Sequence, residues 1–141
     1  MFRGLEIEDF KEIVAIMEKT DNCKTTFRKG ISGNLFIEGE GETELYLKPF
    51  PENSITISRV CFKNTRTGAM SKILEQLIIY CEKNSLREII IESALTKEMV
   101  AFANKHGFKP VEFTTFNYDG LLVGNYELLL DKANSGLSSL Y

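Results

Sequence analysis

The sequence predicts a single mixed α+β domain, and three observations carry that expectation. The chain has 141 residues, room for one core but not for two. Its composition, 43% hydrophobic and 26% charged, is that of a globular protein and excludes a disordered or collagen-like chain. Its apolar spacing switches between helix and strand periods in the order helix, two or three antiparallel strands, helix, strand, helix and closing hairpin.

From Glu8 to Lys19 the set Phe10, Ile13, Val14 and Met17 follows the spacing of one helix face. Residues 20–34 carry turn chemistry in Asp21, Asn22, Gly30, Gly33 and Asn34 without a period, and predict a mobile connection with room for a short helix. Leu35–Ile37 and Leu45–Leu47 are β-type runs around a charged, glycine-containing loop, a hairpin that Pro49 and Pro51 end. Ser54 to Phe62 alternates as a strand with one less buried face. The clearest helix runs from Ala69 to Lys83 on Ile73, Leu74, Leu77, Ile78 and Cys81, and Asn84-Ser85 stops it. Glu88–Glu92 is a short apolar run of the kind buried inside a sheet. Ser93 or Thr96 caps a further helix that Gly107 terminates. Val111 to Phe116 and Leu121 to Leu130 bracket Tyr118-Asp119-Gly120 as a closing hairpin. The domain is placed at 1–131, with 132–141 as a Ser-rich tail.

Charge and cysteine content narrow the function. With 17 basic against 20 acidic residues the formal charge is −3, which attracts no polyanion, so nucleic acid is not an expected partner. Three cysteines without a CxxC pair fit a reduced, cytoplasmic chain, and with His106 as the single histidine no Cys/His metal site is expected. No apolar run approaches the roughly 20 residues that span a bilayer.

The segment that carries chemistry is Val60-Cys61-Phe62-Lys63-Asn64-Thr65-Arg66-Thr67-Gly68-Ala69-Met70-Ser71, in which a strand passes through a polar turn into a long helix. Such a turn aims unpaired amides and the positive end of the helix dipole at one spot, where an anion binds. Gly68 lets a phosphate approach the backbone. Arg66 and Lys63 add charge, and Thr65, Thr67 and Ser71 add hydroxyl donors. It is neither a P-loop nor a dinucleotide fingerprint.

Followed by a buried strand and a helix ending in Lys105-His106-Gly107-Phe108, this segment resembles the GNAT superfamily of N-acetyltransferases over residues 1–131. Phe2–Leu5 and Glu8–Ile13 look like that family's first strand and acidic first helix. The loop looks like its acyl-CoA pyrophosphate motif, [QR]-x-x-G-x-[GA], with Thr65, Gly68 and Met70 at the three positions and Arg66 beside the first. The resemblance implies a mostly antiparallel, twisted central sheet flanked by helices, with the strand residues Val60 and Phe62 holding the pantetheine arm by backbone groups. It implies acetyl-CoA as cosubstrate and a small-molecule or protein amine as acceptor, attacking the thioester directly. Glu52 is the candidate general base. The family's tyrosine acid is replaced by Ala103, so a water, Tyr118 or Tyr126 would act instead. The alternative is a binding or adaptor module with no turnover, which Thr65, Met70 and Ala103 favour. His106 reads as a helix cap, Cys81 as core, and Cys61 as a poor nucleophile. Glu38, Glu40, Glu42 and Glu44 read as a solvated loop or as a surface for a cationic acceptor such as a polyamine, an aminoglycoside or a lysine-bearing tail. Oligomeric state stays open, a homodimer included.

Overall fold

The computed structural model describes residues 4–49 and 53–130. A 3-10 turn at Ile7–Phe10 leads into α1 (Lys11–Asp21). Then come β1 (Thr26–Lys29), β2 (Leu35–Glu38), β3 (Glu44–Lys48) and β4 (Ser54–Cys61). Next are α2 (Ala69–Lys83), β5 (Glu88–Ala94) and α3 (Lys97–Lys105), followed by β6 (Lys109–Pro110), β7 (Phe116–Tyr118) and β8 (Leu121–Leu129). The sheet has the order β1-β2-β3-β4-β5-β8-β6, with β7 also on β8. Every pairing among the described residues is antiparallel except β4 with β5. This is the mixed, mostly antiparallel architecture that the sequence predicts.

The core follows the two periods. Strand residues of one parity, including Leu35, Ile37, Leu45, Leu47, Ile55, Ile57, Ile89 and Ile91, are buried together. Onto them pack Ile13 and Met17 of α1, Ile73, Leu74 and Leu77 of α2, and Val100 and Ala103 of α3. Cys81 is fully buried in the same cluster, and burial pushes its thiol up to about 12. Thr96 caps α3 by accepting the Met99 N–H at 3.1 Å, the second of the two caps the sequence offers.

Three expectations change. The stretch 20–34 contains a 3-10 turn at Ile31–Gly33, in the room left for a short helix, and also β1, which the expected connection did not include. All four residues of β1 are exposed as an edge strand, so burial imposes no alternation that a sequence reading would detect. Val111–Phe116 is not one strand: Thr114 folds back, its N–H donating to the Val111 carbonyl at 3.2 Å and its hydroxyl at 2.7 Å, which leaves β6 and β7 as separate pieces. Gly4 and Leu5 lie outside any strand, although the Leu5 N–H donates to the Gly33 carbonyl at 3.0 Å, and Phe2 and Arg3 lie outside the described residues. The hairpin turn falls where the sequence places it but takes only Asp119 and Gly120, both with positive φ, while Tyr118, assigned to the turn, pairs with Leu121 at the end of β7.

The fold-back is possible because position 124 has no side chain. A Cβ on Gly124, whose φ is 137°, would sit 2.3 Å from the Thr114 carbonyl oxygen and 2.8 Å from the Thr115 Cα. Backbone cannot yield as a side-chain tip can, so Gly124→Ala is expected to cost about 3 kcal/mol or to release the 111–115 turn. Urea unfolding of the variant checks this, and a wild-type midpoint would refute it.

Candidate functional site

Two irregularities at one level of the sheet open a site. The parallel ladder joins Ser54–Ile57 to Glu88–Ile91 and stops there. Beyond Ile57, β4 bulges: Leu47 pairs with Ile57 and Tyr46 with Arg59, leaving Ser58 unmatched. Beyond Ile91, β5 bulges against β8, where Ile91 pairs with Tyr126 and Ala94 with Gly124, and Ser93 turns to a φ of 56°. β4 therefore follows β3 while β5 follows β8. The two strands part at their C-terminal ends, the side of a parallel pair where ligand sites form.

The predicted anion loop leads off the parted end of β4. Val60 and Cys61 pair with Leu45 and Glu44, and Phe62 is half-buried against the core. Lys63, Thr65, Arg66, Thr67 and Gly68 are exposed. Arg66 and Gly68 adopt left-handed conformations with φ of 60° and 83°, and a Cβ on Gly68 would meet no atom within 4 Å, so the space above it is open. Thr67 Oγ1 accepts the Ala69 N–H at 3.2 Å, whereas no acceptor among the described residues reaches the amides of Met70 and Ser71. Ala69 is buried, and Met70 packs its side chain against the core. The Ser71 hydroxyl lies 3.1 Å from His106 Nε2, and the His106 ring rests on Phe102 at 4.4 Å, so the end of α3 is tied to the start of α2. His106 is the C-cap residue of α3, as its position suggested.

Asp21 is the residue that sequence reasoning missed. It ends α1, is 2% exposed, and its carboxylate accepts the Lys63 N–H and the Asn64 N–H at 2.8 Å each and the Thr43 hydroxyl at 2.5 Å. Burial alone would raise its pKa. The hydrogen bonds from Thr43, Asn64 and Lys63 outweigh that and hold it below the ordinary value. Two loop amides are thus spent on Asp21, and the amides left open belong to the first turn of α2. An acidic residue at a helix C-terminus opposes the dipole, and that anomaly was the signal for a tertiary role.

The remaining candidates separate. Glu52 lies outside the described residues. Ala103 is fully buried. The Tyr126 hydroxyl donates to the Leu122 carbonyl at 2.6 Å, and burial pushes its pKa up, which makes it structural. Tyr118 is exposed on β7. Burial and Glu42 push the Cys61 thiol up, against a nucleophilic role. The glutamate hairpin is mostly occupied: Glu38 accepts the Tyr46 hydroxyl at 2.7 Å and pairs with Arg28, Glu44 binds Arg59, and Glu42 faces Cys61. It does not present four open carboxylates to an acceptor. Among the described residues no helix is long and apolar enough to cross a membrane.

No family model and no curated protein sequence matches this chain. Solved structures do. An N-acetyltransferase from Staphylococcus aureus Mu50 superposes with a TM-score of 0.50 at 20% identity, covering 93% of this chain and 98% of that one. A protein assigned as a phosphinothricin N-acetyltransferase gives 0.51 at 16% identity, covering 92% and 98%. A protein from Desulfovibrio desulfuricans assigned to the GNAT family of acetyltransferases gives 0.51 at 11% identity, covering 90% and 95%. Likeness at such identities is likeness of fold.

Proposed function

From the GNAT N-acetyltransferase fold, which this chain has, we propose an acyl-CoA-dependent N-acetyltransferase that moves an acetyl group from acetyl-CoA to a primary amine by direct attack. The observation that carries the reading is the open first turn of α2 beside Gly68, placed where β4 leaves β5. The diphosphate of CoA would be held by the amides of Met70 and Ser71, with Arg66 and Lys63 supplying charge and Thr65 and Thr67 hydroxyls beside them. Acetyl-CoA supplies an acyl group already activated as a thioester.

The chain's contribution is positioning. The parted strands offer Val60, Cys61 and Phe62 as a backbone rail on one side and Ser93 and Ala94 on the other. Holding an amine in near-attack geometry accounts for about 7–11 kcal/mol of barrier, so a site without the family's tyrosine can still turn over. Glu52 is proposed as the base that takes the amine proton. The working unit is proposed as one domain over 1–131 in the cytoplasm. The free thiols of Cys23, Cys61 and Cys81 suit that compartment.

Two observations favour a second reading, a binding module without turnover: Asp21 has claimed two loop amides, and Ala103 is sealed in the core. Thermal shift and a CoA-release assay decide. Acetyl-CoA at a hundredfold excess over Kd is expected to add about 2.7 kcal/mol of stability, several degrees in Tm. A shift with no thiol released for any amine selects the module. No shift at all refutes the transferase and leaves the module, two of whose loop amides Asp21 has taken.

A further inference from the structure

The one imidazole of the chain stands between two helix ends. His106 closes α3 as its C-cap, and its Nε2 lies 3.1 Å from the Ser71 hydroxyl in the first turn of α2. The ring rests on Phe102 at 4.4 Å, and the His106 backbone N–H donates to the Phe102 carbonyl at 3.1 Å, so its place is fixed. Side chains of a helix lean toward its N-terminus, which sets the Ser71 hydroxyl beside the amides of Met70 and Ser71 that no acceptor among the described residues reaches. The carbonyl end of α3 favours positive charge on the ring, whereas the amide end of α2 opposes it. Charged groups on the elements around the ring are Lys105 on α3, Lys72 and Glu75 on α2, and Lys63 and Arg66 in the loop before α2. All five are exposed, and none is hydrogen-bonded or ion-paired to the ring. From β8 the nearest side is apolar: a Cβ on Gly107 would meet only Leu128 within 4 Å. An anion at the start of α2 would cancel the opposition of that helix end and leave the ring between two groups that favour its charge.

A hydroxyl has one proton to donate. When the neutral ring carries its proton on Nδ1, Nε2 accepts, and Ser71 spends its proton on the ring. In the imidazolium both nitrogens donate, so Nε2–H bonds the Ser71 oxygen and the hydroxyl proton turns out toward the open first turn. We propose that His106 is a positioning residue of the diphosphate site: protonated, it presents the Ser71 hydroxyl to the anion and sets a positive charge behind it, so that acetyl-CoA binding is coupled to uptake of one proton at His106. The proton comes from water and returns to it when the cofactor leaves. The coupling is reciprocal, so bound cofactor keeps the ring protonated to higher pH and a lower pH tightens the cofactor. It rests on the reading of α2 as the acetyl-CoA site.

Each side of the linkage is measured on the untagged chain. Because His106 is the only histidine, its ring proton gives a single NMR titration curve, and saturating acetyl-CoA is expected to raise the midpoint by about one pH unit. Calorimetry compares acetyl-CoA binding to wild type and to His106→Gln, which keeps a neutral hydrogen-bonding group at that place. The two affinities are expected to agree at pH 8.5 and to differ by about eightfold in favour of wild type at pH 6. Taking the ratio cancels the titration of the cofactor's own phosphate. A residue that only packed α3 on α2 would change affinity alike at both pH values. If His106→Gln folds poorly, the NMR titration of wild type decides alone. A midpoint that stays put at saturation, or a ratio that is the same at both pH values, overturns the proton coupling while the binding itself leaves the transferase reading standing. Acetyl-CoA that binds at neither pH overturns both.

Discussion

Gly68→Asp is expected to raise the Kd for acetyl-CoA by about two orders of magnitude while leaving the fold intact. Two effects combine. Gly68 has a φ of 83°, so any L side chain there is strained. Its Cβ direction opens onto space within which no atom lies closer than 4 Å, so a carboxylate would stand in the diphosphate's approach. Like charges about 4 Å apart near a protein surface repel by roughly 1–4 kcal/mol. An acidic group at the start of α2 also favours the helix dipole, which offsets part of the strain and keeps stability near wild type. Gly68→Ala, carrying strain without charge, separates the two. Arg66→Ala is expected to cost about tenfold. Calorimetry reads all three, and unchanged affinity in both Gly68→Asp and Arg66→Ala removes the site.

Asp21→Asn is expected to cost about 3 kcal/mol of stability at pH 7 and to weaken acetyl-CoA binding by loosening the loop. The carboxylate accepts three hydrogen bonds in a place that is 2% exposed, and the amide replaces acceptor capacity by an NH2 facing N–H donors. The pH dependence has a definite sign. The folded pKa lies below the ordinary 3.8, so this stabilisation is complete above that value and is lost as pH falls through it toward the folded pKa. The gap between wild type and variant should therefore be full at pH 5–8 and shrink below about pH 4. Urea unfolding across that range is the measurement. An Asp21→Asn variant as stable as wild type at pH 7 would show that the loop is held by something else.

The sequence made the helices legible because Ile73, Leu74, Leu77 and Cys81 repeat at 3.6 residues, and each is buried. The central strands were legible because Leu45 and Leu47, or Ile89 and Ile91, alternate into one core. β1 was not, because an edge strand exposed on both faces leaves no pattern. The turn at Val111–Thr115 was missed because its cause, the room left by Gly124, lies on another strand. Of the candidate site, the composition of the 60–71 loop and its place before α2 were readable. Which amides stay open was not.

What the sequence alone determined about this protein is local: period, caps, turn residues and the run of polar residues leading to Gly68 are set by neighbours along the chain. Which groups meet across the molecule is settled by the packing of distant segments. Asp21 takes the Lys63 and Asn64 amides from over 40 positions away, and bulges at Ser58 and Ser93 fall at one height to part β4 from β5. Glu88 and Glu127 become diagonal neighbours because the sheet pairs β5 with β8, strands far apart in the chain. Hydrogen bonding and charge act through space at a few ångströms, and sequence order carries no record of which residues the fold brings within that range.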